Sequence, residues 1–308
     1  MNYDIIGDIH GHADPLKALL TKLGYRERAG AWRHPDRTAI FVGDFVDRGP
    51  GQLDVLRTVR TMIDSGSALA VMGNHEFNAI AWALPDPDKD GAFLRPRNAK
   101  NRHQHRAFLE QVGEDSAEHR AWTNWFLDLP LWIETPAFRV VHACWHVPSA
   151  AELLQQLKPG LKLDHDLVLL ASRRGSAEYA AIETLLKGRE VRLPPSVSFH
   201  DKDGHERHEV RIKWWASEAR TYRDAAMGTG DAVIPDTPIA DLDAVKAPDR
   251  LTFIGHYWLN ADHGIGPLSP RVACVDYSVA RGGPLVAYRF DGETEIDPTK
   301  FVAAYGEV

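Results

Sequence analysis

Thr38-Ala39-Ile40-Phe41-Val42-Gly43-Asp44-Phe45-Val46-Asp47-Arg48-Gly49 begins as an apolar run, breaks at a glycine and delivers a carboxylate. The run has the length and side chains of a buried strand, and the polar, glycine-rich stretch from Gly43 to Gly51 reads as a loop. Beyond it Val55, Leu56, Val59, Met62 and Ile63 form a helical stripe that Gly66 stops. The same order occurs on either side. Tyr3 to Ile6 is a short apolar run ended by Gly7, and Leu16, Leu19, Leu20 and Leu23 mark one helical face between Asp14-Pro15 and Gly24. Ala68 to Met72 leads into Gly73-Asn74-His75-Glu76 and a helix from Phe77 to Ala83. Three strand, loop, helix units in the first 83 residues predict an α/β fold.

Further along, residues 85–103 are rich in Pro, Asp, Arg and Asn and read as a surface loop, with residues 104–128 mainly helical. Phe138 to Val141 is a fourth strand, ending in His142. Ser149 and Glu152 have capping-box spacing, which predicts a helix through Leu153, Leu154 and Leu157 closed by Lys158-Pro159-Gly160. Between Val197 and Trp214, the turn signal Asp203-Gly204 and the alternation of Val210, Ile212 and Trp214 with charged residues predict a hairpin. Asp201-Lys202-Asp203-Gly204 also opens like a calcium loop, but no glutamate closes it, so the turn is preferred. Late strands are expected at Leu251 to Ile254, Val272 to Val275 and Leu285 to Phe290.

At 308 residues, the chain can bury roughly three quarters of its unfolded surface. Hydrophobic residues at 44% and charged residues at 26% exclude disordered, collagen-like and membrane-spanning classes. With 36 Lys and Arg against 43 Asp and Glu, the net charge of -7 provides no global basic field, so no stable nucleic-acid partner is expected. Cys144 and Cys274 lie far apart among apolar neighbours, which argues against a disulfide framework. The amino terminus lacks a charged n-region and a long apolar segment, and no run approaches the ~20 apolar residues of a membrane span. A cytoplasmic protein without membrane association is therefore expected.

Five strand-like runs end in a metal-ligating side chain: Ile5-Ile6-Gly7-Asp8-Ile9-His10, Phe41-Val42-Gly43-Asp44, Val71-Met72-Gly73-Asn74-His75, Val140-Val141-His142 and Phe253-Ile254-Gly255-His256. In an open α/β sheet the loops at the carboxyl ends of strands converge, so these five ends can share one site. Aspartate, asparagine and imidazole together suit borderline divalent ions; calcium would take nearly all oxygen, and structural zinc would take cysteine. Such a set is the equipment of a two-metal hydrolase, and phosphate ester hydrolysis is its natural reaction.

Gly7-Asp8-Ile9-His10-Gly11, Gly43-Asp44-Phe45-Val46-Asp47-Arg48-Gly49 and Gly73-Asn74-His75-Glu76 resemble the three signature blocks of the calcineurin-like metallophosphoesterases. Within that superfamily they most resemble the phosphoprotein (serine/threonine) phosphatase branch and its bacterial relatives, which include symmetrical diadenosine tetraphosphatases. The separations, 36 residues from Asp8 to Asp44 and 30 from Asp44 to Asn74, suit the family. Three ordered blocks are a specific signal where one alone is weak. The match covers residues 1–83, with isolated matches at His142 and His256.

This resemblance implies two mixed β-sheets packed face to face and flanked by helices. It implies that Asp8 and His10 bind one divalent ion, that Asn74, His142 and His256 bind the other, and that Asp44 bridges them. Manganese is expected, with iron, zinc and nickel as alternatives. A metal-bridging hydroxide would be the nucleophile, His75 the acid for the leaving oxygen with Asp47 orienting it, and Arg48 the grip on phosphate. Chemistry agrees: an alkoxide needs a proton near neutral pH, which histidine is best matched to give, and a guanidinium fork fits phosphate oxygens. Glu76 is expected to orient local backbone rather than perform chemistry.

The expected function is a serine/threonine-type phosphomonoesterase acting on phosphorylated protein or a small phosphoester or nucleotide. A dinucleoside polyphosphate hydrolase is the alternative, and a nuclease or a non-catalytic scaffold ranks lower. Gly255-His256-Tyr257-Trp258 supplies a single imidazole where nucleases of the superfamily carry two, which favours the phosphatase branch. The chain is expected to form one domain over residues 1–308. The 114-residue separation of His142 and His256 leaves room for a cap within residues 146–250, where substrate choice would reside. Of Arg173, Arg174, Arg207, Arg211, Arg220 and Arg223, Arg211 is preferred as a second phosphate-binding residue. His12 and His146 are assigned ordinary roles near the motifs; the remaining histidines, His105 and His119 among them, sit in polar stretches and are expected to be solvated. Trp214, Trp215 and Trp258 are assigned to the core rather than to a stacking platform.

Overall fold

Strand Asn2–Ile6 pairs in parallel with Arg37–Phe41 on one side and antiparallel with Leu285–Phe290 on the other. Ala68–Ala70 and Phe301–Ala304 complete this five-stranded sheet at its edges. A second sheet of four strands runs in the order Val272–Cys274, Leu251–Ile254, Phe138–Val141 and Trp132–Glu134, parallel except at its last pair. These assignments come from a computed structural model, which describes residues 2–195, 197–200, 205–230, 232–240, 245 and 247–306.

Because side chains alternate along a strand, the three inner strands of the first sheet serve two cores. Ile5, Ile40, Tyr288 and Phe290 face Phe138, Val140, Leu251 and Phe253 of the second sheet in one apolar cluster. Phe138 meets Phe290 edge-on with ring centroids 4.8 Å apart. The neighbouring positions Ile6, Phe41 and Ala70 point the other way, into the larger cluster shared with Leu16, Leu19, Leu20, Val55, Leu56 and Val59 of the first two helices. The result is the mixed two-sheet, helix-flanked fold that the motif resemblance implies.

The first helix, Ala13–Leu23, ends at Gly24 with φ 99, a conformation glycine adopts without steric cost. The third, Asn74–Ala83, starts three residues earlier than its apolar pattern suggests, so Asn74 and His75 occupy its first turn. Two helices, Ala99–Val112 and Ala117–Phe126, fill the stretch read as mainly helical, and the preceding loop is shorter than expected. The helix assigned to a Ser149 cap instead runs Val147–Leu154 with His146 as N-cap. Pro148, which is favoured at a helix start, moves the boundary upstream, and Ser149 Oγ pairs with His146 Nδ1 at 2.8 Å.

Helices Val147–Leu154, His165–Ala171 and Ala177–Lys187 bury Leu153, Leu167, Val168 and Leu185 in the main core. Leu193, Val210, Ile212, Tyr222, Ile234 and Val245 form a small core of their own. The expected hairpin is real only in part: Phe199–His200 pairs with Glu206–Arg207, whereas Glu209–Arg211 pairs with Glu190–Arg192. Its turn at Asp203-Gly204, and the calcium-loop reading with it, lies outside the described residues. Among the described residues no helix is long and apolar enough to cross a membrane. Both cysteines are free and buried.

Candidate metal centre

Asp8 and His10 leave the end of Asn2–Ile6, Asp44 follows Arg37–Phe41, and Asn74 follows Ala68–Ala70. His142 and His256 leave the ends of Phe138–Val141 and Leu251–Ile254 in the facing sheet. All six converge. Asp44 Oδ2 lies 3.6 Å from His10 Nε2, 3.4 Å from His142 Nε2 and 3.9 Å from His75 Nε2. Asn74 Oδ1 is 3.1 Å from His142 Nε2 and 2.8 Å from His256 Nδ1. Asp8 Oδ2 accepts the His256 backbone N–H at 3.0 Å.

The backbone is bent to achieve this. His10, Asp44, Asp47, Arg48, His256 and Trp258 all have φ between 47° and 75°. Left-handed conformations in non-glycine residues cost on the order of 1–3 kcal/mol each and persist only where surrounding contacts impose them. Glycine clears the space: a Cβ on Gly255 would lie 2.0 Å from Asp8 Oδ1. Glu76, fully buried, accepts backbone N–H bonds from Asp44, Phe45 and Gly73 at 2.8, 2.8 and 3.0 Å, locking two of the motif loops together.

Two features make the cluster fit for divalent cations. His10 Nδ1 lies 3.0 Å from the Val46 carbonyl and His142 Nδ1 2.8 Å from the Val42 carbonyl, so each Nδ1 carries the proton and donates. Where the ring is neutral, Nε2 is then a bare lone pair, as a metal-binding imidazole requires; burial lowers His142, but Asp44 outweighs it and raises it to about 10, so a cation must displace the Nε2 proton there. Burial and the neighbouring His75 push His10 down to about 3, so it is neutral. Second, His10 Nε2 and Asp8 Oδ1 are buried with no hydrogen-bond partner, while Asp8, Asp44 and Asp276 crowd their negative charges. Burial and then Asp276 raise Asp8 well above the usual carboxylate range. Unpaired donors and like charges in a dry interior call for a cation. His10, Asp44 and His75 form one candidate ligand group and Asp44, His142 and His256 another, with Asp44 common to both.

Behind this cluster His75 Nδ1 meets Asp47 Oδ2 at 2.5 Å. The other oxygen of Asp47 is taken by His105 Nδ1 at 2.6 Å. Burial raises Asp47, but His105 and His75 outweigh it and hold the carboxylate below its usual range. Burial lowers His75, but Asp44 and Asp47 reverse the sign and raise it. His105 and His119 are fully buried, which corrects the expectation that both are solvated. A signal was available: His105, Phe108, Leu109 and Val112 fall at i, i+3, i+4, i+7, the buried face of their helix. Removing His105 should be felt in stability. His105→Phe leaves one oxygen of a buried carboxylate unpaired, which should cost at least ~1–3 kcal/mol in denaturant unfolding. His105→Asn, with an amide N–H on the same branch, should recover part of that loss. A Phe variant as stable as the parent would show that the contact carries no weight.

Arg211 Nη1 approaches His256 Nε2 at 3.5 Å, while its Nη2 donates to Glu190 at 3.1 Å. Of the other arginines considered, Arg173 pairs with Asp86 and Asp88, and Arg223 with Asp236. Trp214 and Trp215 are core residues, as expected. Trp258 is not. It is half-buried at the mouth of the cluster, its ring 5.7 Å from that of His10. Arg48 Cζ lies over it at 4.0 Å from the ring centroid. Sequence reasoning also passed over Asp276, which follows the strand Val272–Cys274 and accepts the Trp258 N–H at 2.7 Å. Its signal was another apolar run ending in a carboxylate, but without the preceding glycine.

Oxygen and nitrogen donors thus gather at the strand ends of two packed mixed sheets as a candidate metal centre. Residues 1–150, just under half of the chain, match the family model for calcineurin-like phosphoesterases. The chain is 50% identical over 76 residues to the asymmetrical bis(5'-nucleosyl)-tetraphosphatase PrpE of Halalkalibacterium halodurans, which is 24% of this chain and 31% of that protein. With the protein of the same name from Bacillus subtilis the identity is 45% over 76 residues, again 24% and 31% of the two chains. The chain thus matches about a third of the length of these curated relatives. A Saccharomyces cerevisiae protein serine/threonine phosphatase shares the fold at a TM-score of 0.52 and 16% identity, over 100% of this chain and 80% of that one.

Proposed function

We propose that the protein is a metal-dependent phosphoester hydrolase in which Asp8, His10, Asp44, Asn74, His142 and His256 hold two divalent ions, manganese being the first to try. The observation that carries this reading is the position of Asp44, common to both candidate ligand groups and 3.9 Å from the one ring nitrogen of His75 that Asp47 does not occupy. Bound ions would supply Lewis-acid stabilisation of phosphoryl charge and lower the pKa of the attacking water.

The chain's own residues do the rest. Asp47 fixes the His75 ring through Nδ1, which leaves Nε2 to deliver a proton. Water oxygen forms the new bond to phosphorus as the bond to the leaving oxygen breaks; that oxygen takes the His75 proton, the proton shed by the water passes to solvent, and solvent reprotonates His75. Arg48 and Arg211 hold phosphate oxygens from two sides of the centre, and no covalent phosphoenzyme is needed. Arg211 belongs to the small core between Leu193 and Val245, so that part, rather than the whole of residues 146–250, is the proposed cap.

For substrate, the likeness to proteins named bis(5'-nucleosyl)-tetraphosphatases and the arginine-carrying indole at the mouth favour a nucleoside polyphosphate. This reverses the order expected from sequence, in which a serine/threonine-type phosphomonoester came first. Manganese-loaded protein should therefore show its highest kcat/KM on diadenosine tetraphosphate, above a phosphoserine peptide and a cyclic nucleotide. A peptide preference would restore the monoesterase reading, and no hydrolysis of any of the three would defeat the enzyme assignment.

A further inference from the structure

Trp258 carries a second guanidinium. Arg281 Cζ lies over the same indole at 4.5 Å from the ring centroid, as Arg48 Cζ does at 4.0 Å. Both arginines are exposed, and neither has a hydrogen bond or ion pair to its side chain among the described residues. Desolvation of the Arg48 head group lowers it, Asp44 and Asp47 pull it up, and the Arg281 charge lowers it against a further pull from Asp276. Two like charges held over one ring, neither of them ion-paired among the described residues, gain when an anion joins them.

This arrangement is built rather than incidental. Arg281 ends the one-turn segment Val279–Arg281, set between Ser278 with φ 62 and Gly282 with φ 85. Buried Asp276 accepts the Ser278 N–H at 3.0 Å through one oxygen and the Trp258 N–H at 2.7 Å through the other. A single carboxylate therefore fixes both the indole and the turn that presents Arg281. Ser278 Oγ adds a bond to the Leu259 carbonyl at 3.1 Å. Gly283 closes the turn where a Cβ would lie 2.0 Å from the Tyr277 carbonyl. Stacked over the ring, a guanidinium keeps its N–H edges free for oxygen acceptors, a geometry lysine cannot reproduce.

We propose that Arg281 binds the phosphate next to the scissile one, so that the Arg48–Trp258–Arg281 group selects phosphate chains over lone phosphomonoesters. This rests on the hydrolase reading above and names the residue that would set its substrate class. A monoester offers one anionic group, which Arg48 and the metal centre already address. A polyphosphate offers a second, and Arg281 is the cation within reach of it on the same ring.

The test compares manganese-loaded parent, Arg281→Ala and Arg281→Lys on diadenosine tetraphosphate and on p-nitrophenyl phosphate. Arg281→Ala should lower the ratio of the two kcat/KM values by ~10- to 100-fold, the scale of one lost charge-assisted contact. Arg281→Lys should recover only part of the ratio. A ratio that Arg281→Ala leaves within about twofold overturns the proposal, as does an equal loss on both substrates. Should the parent hydrolyse neither compound, the hydrolase reading fails by itself, and titration calorimetry with inorganic tripolyphosphate decides the binding claim separately. Weaker binding by Arg281→Ala supports it, and equal binding overturns it. Thermal unfolding of each variant checks that the exposed substitutions leave the fold intact.

Discussion

Asp44→Asn should fold normally, yet bind fewer divalent ions per chain than the parent and lose turnover by more than ~10²-fold. The amide is nearly isosteric, and Oδ1 can still accept the His75 backbone N–H, which it does at 2.9 Å in the parent. Changing Oδ2 to an N–H₂ group is a different matter. That atom faces three imidazole nitrogens at 3.4–3.9 Å and is the point where both candidate ligand groups meet. An amide nitrogen there has no lone pair to give and removes the negative charge that balances the ions. Replacing partners one shell further out typically costs 10- to 100-fold in metal affinity or activity, so a shared first ligand should cost more. Metal analysis of the purified variant, with kcat measured at saturating manganese, reads both effects. Full metal content together with an unimpaired rate would remove Asp44 from the bridging position and with it the two-ion arrangement.

That prediction was already legible at residues 38–49, because an apolar run that breaks at glycine and ends in a carboxylate carries its meaning locally. The same holds for Asp8, Asn74, His142 and His256, each at the end of a strand that its own neighbours specify. What stayed hidden needed distance. His105 lies 58 residues from Asp47, and no local pattern says that its helix carries it to the far oxygen of that carboxylate. Asp276 links the Trp258 backbone to the turn bearing Arg281 only because two late loops fold together. Helix boundaries erred where two local signals competed, as at Pro148 and Ser149. Strand pairing erred where alternation was read without a partner, since Val210 and Ile212 alternate equally well in a hairpin or against Glu190–Arg192. Periodicity fixes which face is buried; it leaves open what that face is buried against.

His75→Asn should keep its metals and lose turnover by ~10²- to 10⁴-fold on substrates whose leaving oxygen is strongly basic. The loss should shrink as the leaving group becomes a better one, because a weakly basic oxygen departs without help. Plotting log kcat/KM against leaving-group pKa for a series of aryl phosphates should therefore give a steeper line for the variant than for the parent. The structure also offers a competing role, since His75 Nε2 belongs to one of the two candidate ligand groups. The two roles separate cleanly. An acid that is lost changes the slope and spares the metals, whereas a ligand that is lost empties an ion site and lowers every rate alike. The 2.5 Å contact to Asp47 favours the first outcome: it fixes the ring through Nδ1, and Asp44 with Asp47 raises the pKa, so the ring is primed to hold a proton rather than a bare lone pair. A variant that retains both ions and the parental slope would leave the leaving oxygen without its proposed proton donor.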